Sequence, residues 1–578
     1  MEFSHLLVDA IWRPSFLLKY YGLRDHLQPS SGRLGTPSWD QSPLNPRNRV
    51  DSLETSFSRW RIDGATICGT CIFAIPLDLL PNLPPLRIML HISDQTDYPA
   101  ALRHSLDACI GVPLRDGKAI ARLGLARHLC RALDYHCAQH PDFLAEYIKL
   151  PFGSKLIFED VTADVADMRL DVERDYYVET HMKTLQALQQ LWPDVAQDEW
   201  PPVVGIDELR LVKQFNETVA LVEYPGQSLA VFKSVSDSLE HTYHELHFLL
   251  TCAPHPHIMP RPLAVITKKS VFGGKNGVLG FLLQYYPVGS LRDVLPARQR
   301  TNTLSNSDKL RWCRQVASAL AHIHGMGTFY SDLRPENVLL DSKENAVLCD
   351  FEQRGNWYEW CAPEVLYRQY VENIRARLPD RVINSPYDRL LKEYAQSHSP
   401  SASACYTPAE SRIEARNRPW FALPPAAREK AVVYSLGLFI YCVFEGLSNV
   451  QRNVANQFPI DPDVEYPVFQ QTPEDLQKVI QQCLIDTPDW QAVALPQTFR
   501  VVRVNGLLYP ETQTDLERDT HVTFEIVMDT FLKFWGVELM RAEKFLDSPE
   551  WKKGDFGANR ASLREVVNAL EDRSNHLN

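Results

Sequence analysis

The chain has 578 residues, a length that fits about two to four domains, and its 45% hydrophobic and 10% aromatic residues supply ordinary globular cores. Sixty basic residues against 72 acidic ones leave a net charge of -12, which argues against a general attraction to nucleic acid or to acidic membrane surfaces. Twelve cysteines over this length are too sparse for a disulfide scaffold. The opening M-E-F-S-H-L-L-V-D-A-I-W lacks the basic flank and long apolar core of a signal peptide, and the longest apolar stretch, Val432 to Phe444, is too short and too polar to cross a bilayer. The expected setting is intracellular, cytoplasmic or nuclear.

In chain order, residues 1–203 read as an α/β region without a catalytic motif. Gln28 to Ser52 is rich in Ser, Pro, Gly, Asn and Arg and reads as a loop or linker. Cys68 and Cys71 lie in the strand-like run T-I-C-G-T-C-I-F-A-I, where buried thiols behave as small hydrophobes, so zinc is not expected there or at Cys130, His136 and Cys137. Apolar spacing predicts helices over Ala119 to His140 and His181 to Trp192, with a short strand at Lys155 to Phe158.

From about Val204 the pattern changes. Leu229 to Val235, L-A-V-F-K-S-V, alternates as a half-buried strand that carries Lys233. Ser236, Asp237 and Ser238 are good N-cap types for the amphipathic helix that follows, which carries Glu240 and Glu245 and ends near Thr251. Ala264 to Thr267 and Val278 to Gln284 read as strands around the turn K-S-V-F-G-G-K-N-G, and Ser307 to Gly327 as a long amphipathic helix. Next comes Y-S-D-L-R-P-E-N, from Tyr330 to Asn337. Val338 to Leu340 and Ala346 to Cys349 are short apolar strands joined by the polar turn Asp341 to Asn345, ahead of Asp350-Phe351 and Ala362-Pro363-Glu364.

This succession resembles the protein kinases of the Ser/Thr type, whose loop reads D-L-K-P-E-N. The resemblance covers about Val204 to Leu570 and implies an α+β, bilobal fold, with a β-rich small lobe over about 204–287 and a helical large lobe over about 288–573. Insertions fall at about 367–428 and 487–559. It further implies ATP and Mg2+ as cofactors and a protein substrate. Asp332 would position and deprotonate the substrate hydroxyl, with Arg334 near the transferred phosphate. Lys233 would orient the nucleotide phosphates, and His255-Pro256-His257-Ile258, resembling the family's H-P-N-I, points to Glu245 rather than Glu240 as its partner. Asn337 and Asp350 would bind magnesium. F-L-L-Q-Y-Y-P-V-G-S-L resembles the hinge, with Leu283 at the back of the pocket and Gln284 to Tyr286 along the adenine edge. Arg560 of the last helix would pair with Glu364.

Several positions depart from the family. The stretch V-K-Q-F-N-E-T-V-A-L-V has no glycine where kinases cover the phosphates with G-x-G-x-x-G, and Glu217 or a neighbour on it is expected to point toward the phosphates and repel them. Tyr330 and Ser331 replace His and Arg, Glu352 replaces the glycine of D-F-G, and Val432 replaces an aspartate that supports the catalytic loop. The segment between Glu352 and Ala362 is short, with Tyr358 as its one phosphorylatable residue, so control by activation-loop phosphorylation is not expected. Asp555-Phe556-Gly557 spells D-F-G but stands beside the last helix, where a turn is expected. Two readings follow: a phosphotransferase acting on Ser or Thr, and a pseudokinase or scaffold with weak or no nucleotide binding. A small-molecule kinase is a more distant third. The oligomeric state leaves no mark in the sequence.

Overall fold

A computed structural model describes residues 58–65, 71–92, 102, 106, 124–355, 360–375, 417–421, 423–450, 461–485 except 463 and 465, 501–504, 507–510, 524–549, 553 and 557–577. The loop expected at 28–52, Cys68, Tyr358 and Asp555-Phe556 lie outside them.

The N-terminal region is built on a five-stranded mixed sheet in chain order: β1 Trp60–Ala65, β2 Cys71–Pro76, β3 Met89–Ile92, β4 Lys155–Phe158 and β5 Leu170–Glu173. Its pairs are antiparallel except β3 with β4, which run parallel. The crossover that a parallel pair requires contains helix α1, Gly124–Gln139, whose Leu125, Leu129 and Leu133 recur at helical spacing and are buried beside β1. The helix expected over His181 to Trp192 is two. α2 covers Tyr177–His181 and α3 covers Leu185–Leu191, because Thr184 is extended and its hydroxyl accepts the Ala187 N–H as an N-cap at 3.2 Å.

A six-stranded sheet follows in the spatial order β6-β10-β11-β9-β8-β7, with β6 Val203–Gly205, β7 Arg210–Gln214, β8 Val219–Tyr224, β9 Gln227–Ser234, β10 Ala264–Lys269 and β11 Asn276–Gln284. β6 adds to the edge in parallel with β10, and the remaining pairs are antiparallel. Helix α4, Leu239–Thr251, packs beside β11. Glycine is required at 280, where β11 crosses β9: a Cβ there would lie 2.1 Å from the Lys233 carbonyl oxygen.

The helical part contains α5 Leu291–Arg300, α6 Asn306–Gly325, the hairpin β12 Val338–Leu340 with β13 Ala346–Leu348, α7 Pro363–Arg375, α8 Pro425–Glu445 and α9 Glu474–Cys483. A second hairpin, β14 Val501–Val504 with β15 Leu507–Pro510, precedes α10 Phe524–Leu546 and α11 Leu563–Leu577. α8 is buried on every side from Ala431 to Glu445, as its nearly unbroken apolar sequence demands. It ends at Gly446 in the left-handed conformation, φ 76°, the usual stop for a helix that must turn at once. α6 packs on α8 and α11. α7 and α10, which extend into the two stretches read as insertions, pack on each other through Tyr367 against Phe545 and Tyr370 against Trp535. The whole is the α+β arrangement of a kinase-like fold, joined to the N-terminal sheet by one continuous apolar core.

Candidate active site

Lys233 stands on β9, with its side chain 8% exposed. Its ammonium pairs with Glu245 of α4, lies 2.7 Å from Asp350 Oδ1 and 3.6 Å from Glu352 Oε1. Burial works against this charge, but three surrounding carboxylates outweigh it and hold Lys233 well above its ordinary pKa. Burial, with Asp350 and Glu352 close by, pushes Glu245 up to about 7 despite the lysine. The other oxygen of Glu245 accepts the N–H of Phe351 at 3.1 Å, so one carboxylate joins β9, α4 and the segment after β13. Phe351 stacks on Phe248 of α4, ring centroids 4.3 Å apart, and meets Tyr330 edge-on at 5.3 Å. This aromatic column ties the helix that carries Glu245 to the loop that carries Asp332.

The loop itself is closed by the side chain of Asn337, whose Nδ2 donates to the Asp332 carbonyl at 2.8 Å and to Asp332 Oδ2 at 2.9 Å. Arg334 Nε lies 3.2 Å from Asp332 Oδ1, and its Nη1 lies 2.9 Å from Glu336. Burial pushes the Asp332 carboxyl up to about 6, more than the Arg334 guanidinium pulls it down. Burial also opposes the charge of Asp350, but Lys233, Arg334 and Arg354 hold its pKa below the usual carboxylate range. Asp350 has φ 64°, a left-handed conformation that costs a residue with a side chain about 1–2 kcal/mol. The bond to Lys233 and the Phe351 contacts hold it there.

The departures from the kinase pattern have local compensations. Tyr330 donates its phenol hydrogen to the Cys349 carbonyl at 2.6 Å, so it fastens the loop to the β13 exit while its ring packs on Phe351. Val432 is buried in α8 and braces nothing polar, but Gln353 Nε2 donates to the Phe329 carbonyl at 2.7 Å, and Asn417 Nδ2 donates to the Gln353 carbonyl at 2.6 Å. Glu352 is not merely a lost glycine. Its carboxylate accepts from Thr242 of α4 at 3.2 Å and pairs with Arg354, and the Glu352 carbonyl lies 3.0 Å from His241 Nδ1. Sequence reasoning missed Gln353, Asn417, Thr242 and Arg354 because amides, hydroxyls and single arginines carry no pattern of their own.

The remaining candidates fall as follows. Leu283 is buried at the end of β11, Gln284 is exposed opposite Ala230, and Tyr286 is buried with its carbonyl accepting the Gly289 N–H at 3.2 Å. Glu217 is paired: Arg87 of the N-terminal region binds it at 2.8 Å. Arg560 and Glu364 form a two-pronged ion pair, 2.5 and 3.0 Å, with both side chains almost wholly buried. Gly557 of the second D-F-G lies in a turn with φ 58°, next to Arg560. Among the described residues no three His, Cys, Asp or Glu side chains group as a metal site, and no helix is long and apolar enough to cross a membrane.

Comparison with known proteins agrees with this geometry. Residues 228–373 match the family described as protein kinase domain. Maternal embryonic leucine zipper kinase of Xenopus laevis is 31% identical over 119 residues, 21% of this chain and 16% of that protein. Serine/threonine-protein kinases Sgk1-B of Xenopus laevis and Sgk1 of Rattus norvegicus are each 30% identical over 156 residues, 25% of this chain and 33% of those proteins. The matched part thus spans a third or less of these relatives. With the Lys233–Glu245 pair, the Asp332–Asn337 loop and the Glu364–Arg560 bridge in place, the chain carries a domain of the protein kinase superfamily.

Proposed function

We propose that the protein is an ATP- and Mg2+-dependent phosphotransferase that acts on Ser or Thr hydroxyls of proteins, without control by activation-loop phosphorylation. The observation that carries this reading is the single network in which Lys233 binds Glu245 and Asp350 together while Glu245 also holds the Phe351 amide. Those contacts span both lobes, which supports reading them as the groups that would surround a triphosphate, and positioning is most of what this chemistry asks of a protein. The reading takes about 204–573 as the catalytic unit. The D-L-R-P-E-N loop and the two relatives named as serine/threonine kinases support the choice of hydroxyl.

In this mechanism Asp332 accepts the hydroxyl proton as the substrate oxygen bonds to the γ-phosphorus and the bond to the departing ADP breaks. A carboxyl with its pKa near 6 is ionised at neutral pH and still basic enough for the task. Asn337 keeps Asp332 in place with its Nδ2, which leaves its Oδ1 available to a cation. Asn337 and Asp350 would hold Mg2+, which neutralises phosphate charge. Lys233 orients the phosphates once nucleotide competes with Asp350 for its ammonium. Arg334 offsets the charge of Asp332 and lies near the phosphate in transfer, and the backbone from Gln284 to Tyr286 takes the adenine edge.

One observation favours the scaffold reading. The Glu352 carboxylate, 3.6 Å from Lys233, adds a third acid where phosphates must approach. The two readings part on a thermal-shift measurement, since a ligand at 100 times its Kd stabilises the native state by about 2.7 kcal/mol. Mg-ATP raises the melting temperature of the wild type and not of Lys233→Met, and chelation of the metal removes the effect. No shift in the wild type selects the scaffold.

A further inference from the structure

Arg87 lies just before β3, outside the part of the chain that resembles a kinase, and its side chain is 3% exposed. Its Nη1 donates to the Val235 carbonyl at 2.7 Å, two residues beyond Lys233. Its Nη2 donates to Glu217 Oε1 at 2.8 Å, in the turn between β7 and β8, and lies 3.5 Å from Asp237, at the entrance to the helix that carries Glu245. The guanidinium also lies over the Phe152 ring, 5.7 Å from its centre. Arg87 holds φ 50°, a backbone conformation kept only where surrounding contacts over-determine it. One buried cation from the N-terminal region therefore touches three elements of the small lobe.

Other N-terminal groups grip the same elements. Asp63 accepts the Gln214 N–H at 2.7 Å, and Arg61 donates to the Val212 carbonyl at 2.7 Å, both on β7. On α4, Tyr243 accepts the Lys183 N–H at 3.0 Å, and His247 lies 2.8 Å from Asp194 and stacks on Trp192 at 5.0 Å. The β7–β8 turn is stiffened by Asn216, whose side-chain oxygen accepts the N–H groups of Thr218 and Val219, each at 2.9 Å. A turn without glycine cannot mould its backbone to phosphates, so its fixed placement decides what a nucleotide meets.

We infer that Arg87 is a positioning residue of the nucleotide site: it anchors the β7–β8 turn and the start of α4, and it neutralises Glu217, which would otherwise oppose the phosphates. The inference rests on the proposed nucleotide chemistry for its second half only. The N-terminal region is then part of the site rather than an appendage to it.

The test uses the full chain as wild type, Arg87→Ala, Glu217→Gln and the double variant. Hydrogen exchange without nucleotide reads the anchor. Arg87→Ala speeds exchange at 215–219 and 236–241 by about tenfold, equal to about 1.4 kcal/mol of local opening, and unchanged exchange there overturns the inference. Affinity for Mg-ATP reads the charge. It falls about tenfold in Arg87→Ala and returns in the double variant, because the repelling carboxylate is gone. A double variant no better than Arg87→Ala shows that Arg87 does not act on the nucleotide through the charge of Glu217 and overturns that half of the inference. If wild type binds no Mg-ATP, the proposed function fails while the exchange result alone supports or overturns the anchor. Should Arg87→Ala not fold, Arg87→Lys and the exposed Glu217→Gln carry the same comparison, faster exchange at 215–219 supporting the anchor and unchanged exchange overturning it.

Discussion

The Glu364–Arg560 bridge offers a measure of how much the large lobe depends on one buried ion pair. Both side chains are at most 1% exposed, and the guanidinium also donates Nε to the Ile485 carbonyl at 3.0 Å and lies 5.1 Å over the Tyr434 ring. Arg560→Met leaves Glu364 as a buried carboxylate without its partner, a change that costs about 3–5 kcal/mol. Glu364→Gln keeps an acceptor for the guanidinium and costs less, about 1.5–3 kcal/mol, the range for hydrogen bonds to a charged group. Replacing both with methionine removes the unpaired charge, so the double variant must be more stable than Arg560→Met alone. Urea unfolding followed by tryptophan fluorescence suits the measurement, because Trp360, Trp420 and Trp535 are buried in this lobe. A loss below about 1 kcal/mol in Arg560→Met, or a double variant whose losses simply add, would refute the reasoning.

Two further predictions concern the catalytic loop. Asp332 must be ionised to accept a proton and its carboxyl sits near 6, so kcat/KM falls about tenfold per pH unit below that value and is flat above it; a pH profile without that limb contradicts the assignment. Tyr330→Phe keeps the ring contact with Phe351 but strips the donor from the Cys349 carbonyl, lowering stability by about 1–3 kcal/mol; an unchanged urea midpoint would show that the phenol does not brace the loop.

The groups that were legible in the sequence are those whose charge and spacing are both distinctive. Asp332 and Asn337 lie five residues apart in one turn, and the structure joins them by a hydrogen bond. Lys233 and Glu245 could be matched because His255-Pro256-His257-Ile258 resembles the family motif that follows this helix, and the two side chains pair. Contacts between remote residues were not legible. Arg87 reads as one arginine in P-P-L-R-I-M, and nothing local announces a partner 130 positions away. Gln353 and Asn417 are neutral amides, which sequence patterns leave as loop residues, although their hydrogen bonds take over bracing that Val432 cannot supply. Tyr330 looked like a loss because histidine was expected, yet the longer phenol reaches a carbonyl beside the same ring stack. The N-terminal sheet was hidden for a similar reason. Its parallel β3–β4 pair is set by a long crossover, while the local pattern at Lys155 to Phe158 reveals only that a strand exists.

Asp332→Asn tests the central claim most directly, since the amide keeps the size and much of the hydrogen bonding of the carboxylate but cannot take up the proton. Autophosphorylation and transfer to a basic Ser/Thr peptide mix are measured beside a thermal shift with Mg-ATP on the same two preparations. The account predicts that transfer falls by about 10²–10⁴ in the variant while the Mg-ATP shift persists. Wild-type transfer that continues undiminished in Asp332→Asn would contradict it.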